Sequence, residues 1–152
     1  PRMRITTWAE YGVICALHLA RRVDEGLVSG REIAEREKLP PDYSEQILLR
    51  LRRADIVAST RGARGGYVLA RPASEITLRE ILAASELVTF ETFCESHPLN
   101  AERCSAAHEC SIRPVWQMLQ RRIDEVLEDV RLSDLLEEER TVRARVGLPV
   151  LH

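Results

Sequence analysis

The sequence predicts a mainly α-helical chain with one small β-hairpin. Three observations carry this. Apolar residues recur at three- and four-residue spacing through most of the chain. Two short β-prone runs, 56–60 and 67–70, flank a Gly-rich turn and form the one interruption. A single long stretch, 114–130, shows a narrow apolar seam with charges elsewhere.

The elements follow in order. Residues 5–22 read as a helix, with Trp8, Tyr11, Cys15 and Leu19 on one face and Ile5, Ala9 and Leu17 beside it. On that face Cys15 is expected to be packed, and His18 to be a partly exposed helix residue. Gly26 and Gly30 mark a turn. Ser29 caps a short helix, with Glu32 in the capping-box position and Ile33, Ala34 and Leu39 inward; Pro40-Pro41 ends it. The next helix starts at Asp42 or Tyr43 and buries Ile47, Leu48 and Leu51. A turn at Ala54-Asp55 leads into the hairpin, whose tip is Arg61-Gly-Ala-Arg-Gly-Gly66. Ser74 or Thr77 then caps a helix to about Ser85. Residues 90–113 are expected to be a loop. From Pro114 the long helix steps through Val115, Leu119, Ile123, Val126 and Val130, a spacing suited to packing on another helix. Trp116 and Met118 are expected to pack along it. Ser133 caps a last short helix, Asp134 to Glu138 or beyond; 139–152 looks frayed or arm-like, and no element is assigned there.

Two short helices joined by a Pro-rich turn, followed at once by a hairpin, form a winged helix-turn-helix. The organisation expected is a winged helix-turn-helix unit over 3–86, a cysteine-rich loop over 87–113, a dimerisation helix with a short C-terminal helix over 114–138, and a tail over 139–152.

Charge supports a duplex-DNA partner once it is read locally. The net charge of −2 argues against one, yet residues 1–80 hold 14 Lys/Arg against 11 Asp/Glu, and 81–152 hold 8 against 13. Within 43–71 six arginines stand against Glu45 and Asp55, and only local charge matters within a Debye length of DNA. Tyr43, Ser44, Glu45 and Gln46 begin the second short helix, where side chains reach base edges in a major groove. Arg50, Arg52 and Arg53 lie further along, placed to meet phosphates or to fold back on the protein. Arg61 and Arg64 at the hairpin tip suit a minor groove, and Gly65 and Gly66 let backbone amides approach phosphate. An aromatic content of 5% excludes base-stacking single-strand modules.

Cys94, Cys104 and Cys110 lie in one segment, with nine and five residues between them, and His97 and His108 nearby. Thiolates bind zinc or the iron of iron–sulfur clusters. Three open readings follow: a cluster with an unusual fourth ligand, Cys₃His zinc through His97 or His108, and a redox disulfide. No signal-peptide pattern or membrane-length apolar run is found, so a reducing, cytoplasmic setting without membrane contact is expected. An enzyme is not expected. There is no nucleophile–base pair and no CxxC, and the Arg-Gly-x-Arg-Gly-Gly run lacks the Lys-Ser/Thr and following helix of a phosphate loop.

The run Tyr43-Ser-Glu-Gln-Ile-Leu-x-Arg-Leu-Arg, the hairpin Arg61-Gly-Ala-Arg-Gly-Gly-Tyr-Val-Leu-Ala-Arg, Tyr11-Gly12, Ile33-Ala34 and the three cysteines before a long helix resemble the Rrf family of bacterial winged-helix regulators, with its IscR-, NsrR- and RirA-like groups. The likeness spans about residues 3–138. It implies a homodimer with crossing long helices on a palindromic operator, and a repressor. It implies base contacts from Glu45 and Arg61, with Tyr43 contributing. It also implies an iron–sulfur cluster, 2Fe-2S or 4Fe-4S, on Cys94, Cys104 and Cys110, sensing nitric oxide, redox state or iron and cluster supply. In IscR-like members the fourth ligand is a histidine three residues after the last cysteine, where this chain has Arg113. In NsrR-like members it is an acidic residue just before the Tyr-Gly pair, donated by the partner subunit; here that residue is Glu10. The histidine that a redox-sensing group carries four residues later is Ile14 here. The first cysteine spacing is wider than in those members. Control by zinc, thiol oxidation or a protein partner, with no cluster, is the alternative.

Overall fold

The structure is a computed structural model and describes residues 5–86, 100, 102, 104, 105 and 107–150. Helix α1 (Thr7–Arg21) runs through its centre. Thr6 caps it by accepting from the Ala9 amide at 3.3 Å. Of the predicted apolar face, Ala9, Cys15 and Leu19 are buried and Trp8, Tyr11 and Leu17 half-buried, whereas Ile5 precedes the helix and is exposed. His18 departs from expectation. It is 5% exposed, because α2 packs over it and Glu37 meets its Nδ1 at 2.6 Å.

Helix α2 (Gly30–Glu37) begins at Ser29, whose Oγ accepts from the Glu32 amide at 3.1 Å. The Glu32 carboxylate turns to Arg22 at 2.7 Å and Arg36 at 3.3 Å. Lys38, in the left-handed region at φ 56°, stops the helix. Helix α3 (Pro41–Arg53) opens with proline at its first position, where no amide is needed. Ser44, Ile47, Leu48 and Leu51 form its buried stripe.

Asp55 (φ 56°) turns the chain into β1 (Val57–Thr60), which pairs antiparallel with β2 (Gly66–Leu69) from Val57↔Leu69 to Thr60↔Gly66. Val28 adds a third edge: its amide donates to Tyr67 O at 3.0 Å, and the Tyr67 amide returns a bond at 2.7 Å. Helix α4 (Leu78–Ser85) starts with a full capping box between Thr77 and Glu80.

Helix α5 (Ile112–Asp129) begins two residues before Pro114 and buries none of its side chains. The chain then returns to the first unit. The Leu78 amide donates to Val130 O at 2.8 Å and the Leu132 amide to Ile76 O at 2.9 Å. Leu132 is fully buried beside Ile33, Ile47, Leu48, Leu51, Ile56, Ile76 and Ile81. A 3₁₀ turn, Leu132–Leu136, replaces the short helix expected from Asp134. Helix α6 (Glu139–Arg145) forms in the segment to which the sequence assigns no element. Arg143 bridges to Glu139 at 2.8 Å and Arg145 pairs with Asp134.

Candidate nucleic-acid interface and cysteine segment

Alternation of burial along α3 decides what it presents. The stripe through Ser44, Ile47, Leu48 and Leu51 faces the core, so Tyr43, Glu45, Gln46 and Leu49 face outward. Glu45, Gln46 and Leu49 line an open groove whose other wall is Thr60, Arg61 and Gly65 of the wing. The helix and wing thus offer one continuous surface. Close packing holds it: Arg52 donates to Ser59 Oγ at 3.1 Å, and the Tyr67 hydroxyl donates to Glu45 Oε1 at 2.9 Å. Burial and the Glu45 carboxylate push the Tyr67 phenol up to about 12, so it remains a donor at neutral pH.

The hairpin tip depends on glycine. Gly62 has φ +118°, and a Cβ on Gly65 would lie 2.2 Å from Thr60 O. The resulting turn is closed by the Gly65 amide on Gly62 O at 2.9 Å, so that amide is spent within the tip and not offered to phosphate as expected, while Arg61 and Arg64 stay exposed. Arg71 secures the hairpin base with bonds to Asp55 O at 3.2 Å and Glu75 O at 3.3 Å, and to the Glu80 carboxylate at 2.9 Å.

Ser44, expected at the DNA surface, is turned inward, and Arg50 takes the second of its two expected placements, folding back on the protein. Ser44 is fully buried and its Oγ donates at 3.1 Å to Pro40 O, the carbonyl that also accepts from the Ser44 amide at 3.0 Å. Arg50 donates to Ser85 O at 2.5 Å and stacks 4.4 Å from the Trp8 ring centroid. It ties α3 to α1 and α4. Arg53 is exposed at the C-terminal end of α3. Tyr43, 47% exposed, packs edge-on against Trp8, with centroids 5.0 Å apart. The arginine spacing shows a basic face; only the aromatic partner across the α1–α3 contact shows which arginine leaves it.

Cys94 and His97 lie outside the described residues. Cys104 and Cys110 are half-buried just before α5, and His108 is exposed. Arg113, three residues after Cys110, donates to the backbone carbonyls of Cys104 at 3.4 Å and Ser105 at 3.1 Å. Glu10 is exposed in the first turn of α1. Among the described residues no three His, Cys, Asp or Glu side chains converge as a metal site. The donor chemistry nevertheless fits a thiolate-bound metal, since two half-buried thiols flank one short segment pinned by its backbone. Cys15 is separate: fully buried in the core, its thiol is pushed up to about 12, first by burial and then by the Glu37 carboxylate.

The outward face of α5 carries Ile112, Val115, Trp116, Met118, Leu119 and Val126, each 39–60% exposed. Of the expected seam, Ile123 and Val130 are half-buried; Trp116 and Met118 are 43% and 50% exposed. Arg79 of α4 meets α5 through Glu128 at 2.8 Å and Asp124 at 3.8 Å.

Fold and surface together define a winged-helix DNA-binding regulator. Residues 5–138 match the family Rrf2, iron-dependent transcriptional regulator, and the chain belongs to that family. It is 34% identical over 134 residues to the HTH-type transcriptional regulator IscR of Serratia proteamaculans, covering 88% of this chain and 79% of that one. Among solved structures it resembles T. potens IscR (TM-score 0.68, 34% identity, 88% and 85% of the two chains). It also resembles CymR, the global cysteine regulator of B. subtilis (TM-score 0.70, 30% identity, 89% and 97%). These relatives are named regulators of transcription and not enzymes, in agreement with the sequence. No helix among the described residues is long and apolar enough to cross a membrane.

Proposed function

We propose that the chain works in the cytoplasm as a homodimeric repressor that reads a palindromic operator, its DNA affinity set by an iron–sulfur cluster. One observation carries the DNA half: Glu45 and Gln46 of α3 and Arg61 and Gly65 of the wing line a single groove. In that reading α3 enters the major groove with Tyr43, Glu45 and Gln46, Arg53 meets phosphate, and Arg61 and Arg64 enter the flanking minor groove. The apolar outward face of α5 supports pairing of two copies. Residues 5–86 form the DNA-reading unit in this scheme, 87–113 the cofactor segment, 114–138 the pairing helix with its return to the core, and 139–152 an appended tail.

Cys94, Cys104 and Cys110 would hold the cluster, 2Fe-2S or 4Fe-4S, with Glu10 of a second copy as the fourth ligand. When bound, it supplies a centre sensitive to nitric oxide, redox state or iron supply. A carboxylate is a hard, weak ligand beside thiolates. Arg113 holds the segment that carries Cys104, and Glu10 stands on α1, the helix that supports both α3 and α4. A change at that ligand can therefore reach the DNA-reading unit through α1.

The test is native mass spectrometry and absorption spectroscopy on protein purified without oxygen, followed by titration of a selected operator. The expected result is a dimer with iron and acid-labile sulfide, both lost in Cys104→Ala, and different operator affinities for the loaded and empty forms. Glu10→Ala should keep the fold and change cluster stability. A metal-free or zinc-only dimer after cluster reconstitution would remove the cluster and leave the DNA reading. Control by zinc, thiol oxidation or a protein partner would then stand, a reading that the likeness to the cysteine regulator CymR favours.

A further inference from the structure

Glu45 is the acidic member of the surface assigned to DNA, and one of its two oxygens has a hydrogen-bond partner within the protein. Oε1 accepts the Tyr67 hydroxyl at 2.9 Å. Oε2 lies against Gly30, at the first residue of α2, where a Cβ would sit 2.5 Å from it. The carboxylate is thus hydrogen-bonded by the wing and lies close to the start of α2, while the side chain stays exposed. Tyr67 itself is fixed by its two backbone bonds to Val28, the residue that leads into Ser29 and Gly30. Wing, α2 and α3 therefore converge on one side chain.

We propose that Tyr67 is a positioning residue for base recognition: by clamping Glu45 it makes the carboxylate a fixed discriminator in the groove. The proposal rests on the DNA-binding reading above. An ionised carboxylate only accepts hydrogen bonds. Facing a major groove, it gains from an amino group such as cytosine N4 and is repelled by an acceptor such as guanine O6 or thymine O4. A free glutamate escapes the repulsion by rotating to solvent, because its side chain has several accessible rotamers. A clamped one does not escape, so the wrong base bears the full penalty. Releasing the clamp should raise affinity for wrong bases more than it changes affinity for the right one. Loss of ordinary packing would weaken binding to every sequence alike.

The experiment selects an operator from a randomised duplex pool with the wild-type protein. It then measures dissociation constants by fluorescence anisotropy on duplexes carrying each of the four bases at every half-site position. Glu45→Ala locates the position that Glu45 reads. Tyr67→Phe is expected to shrink discrimination at that same position by roughly 2- to 10-fold, the range for one lost hydrogen bond, with other positions unchanged. Gly30→Ala perturbs the clamp from the other side, leaves the tyrosine intact and should change discrimination at the same position. It thus serves as an independent variant should Tyr67→Phe fold poorly. A Tyr67→Phe profile identical to wild type, or a uniform loss across all bases, overturns the proposal. A wild-type protein that selects no sequence overturns the DNA reading itself, and the proposal with it.

Discussion

Gly12 of α1 lies so close to Ser85 of α4 that a Cβ on Gly12 would stand 1.7 Å from Ser85 Oγ and 2.8 Å from its Cβ. Ser85 is fully buried, and its hydroxyl donates to Ile81 O at 2.7 Å, so it has no open space to retreat into. The Tyr11-Gly12 pair of the sequence is in physical terms the place where two helices cross in near-backbone contact. Gly12→Ala is expected to lower stability by about 1–3 kcal/mol, the usual range for overpacking. Chemical denaturation of Gly12→Ala, Ser85→Ala and the double variant would measure it. The double variant should recover part of the loss but not all, because the Ser85 Cβ remains within contact distance.

Cys15 links stability to alkaline pH. Its folded-state thiol is pushed up to about 12 from an ordinary 9.0, by burial first and Glu37 second. The folded state therefore favours the protonated thiol. That contribution is complete below about pH 9 and is lost as pH rises toward 12. Urea midpoints of the wild type should fall steeply over that window, and those of Cys15→Ala should fall less, from a lower starting value caused by the cavity. At pH 8 Cys15 should resist alkylation in the folded protein and react once the protein is unfolded.

The arginines separate by salt dependence. If Arg61 and Arg64 neutralise phosphates, replacing either by alanine should weaken operator binding across sequences and reduce the slope of log K against log salt by about 1. Arg50→Ala should leave that slope unchanged and lower the melting temperature instead, because its guanidinium serves Ser85 O and the Trp8 ring. An Arg50→Ala protein with wild-type stability and a reduced slope would contradict the inward placement.

Val126 is 60% exposed on α5. Val126→Glu should convert a dimer into a monomer in sedimentation velocity at micromolar concentration while far-UV circular dichroism stays as in the wild type. The reason is that α5 contributes no buried side chain to the single chain. Operator affinity should fall with it, since two half-sites would no longer be held at fixed spacing.

Much of the DNA-reading unit was legible in the residues. Proline at Pro41, the Ser29 and Thr77 caps and the glycines of the tip act through local backbone geometry, which depends on neighbours in sequence. So do the apolar spacings of α1 and α3. His18 and Arg50 were not legible in this way, because each is placed by a partner on another element, Glu37 in one case and Ser85 with Trp8 in the other. Leu132 reads as part of a dimerisation segment, yet it fills the core of the first unit through a backbone pairing with Ile76 that joins residues far apart in the chain. Helix α6 shows no apolar periodicity in the sequence, and its turns are supported by Glu139–Arg143 and Asp134–Arg145 ion pairs.

Period, capping residues and turn glycines were enough to establish the class of fold, the order of its elements and the local basic segment. The three-cysteine pattern was enough to point to thiolate chemistry. These are properties of short stretches of backbone, governed by steric limits and hydrogen bonding within a few residues. Tertiary packing alone decided that Ser44 and Arg50 turn away from the surface and that Tyr67 hydrogen-bonds Glu45 beside Gly30. A side chain's direction depends on which partner reaches it across space, and the linear order of residues does not contain that distance.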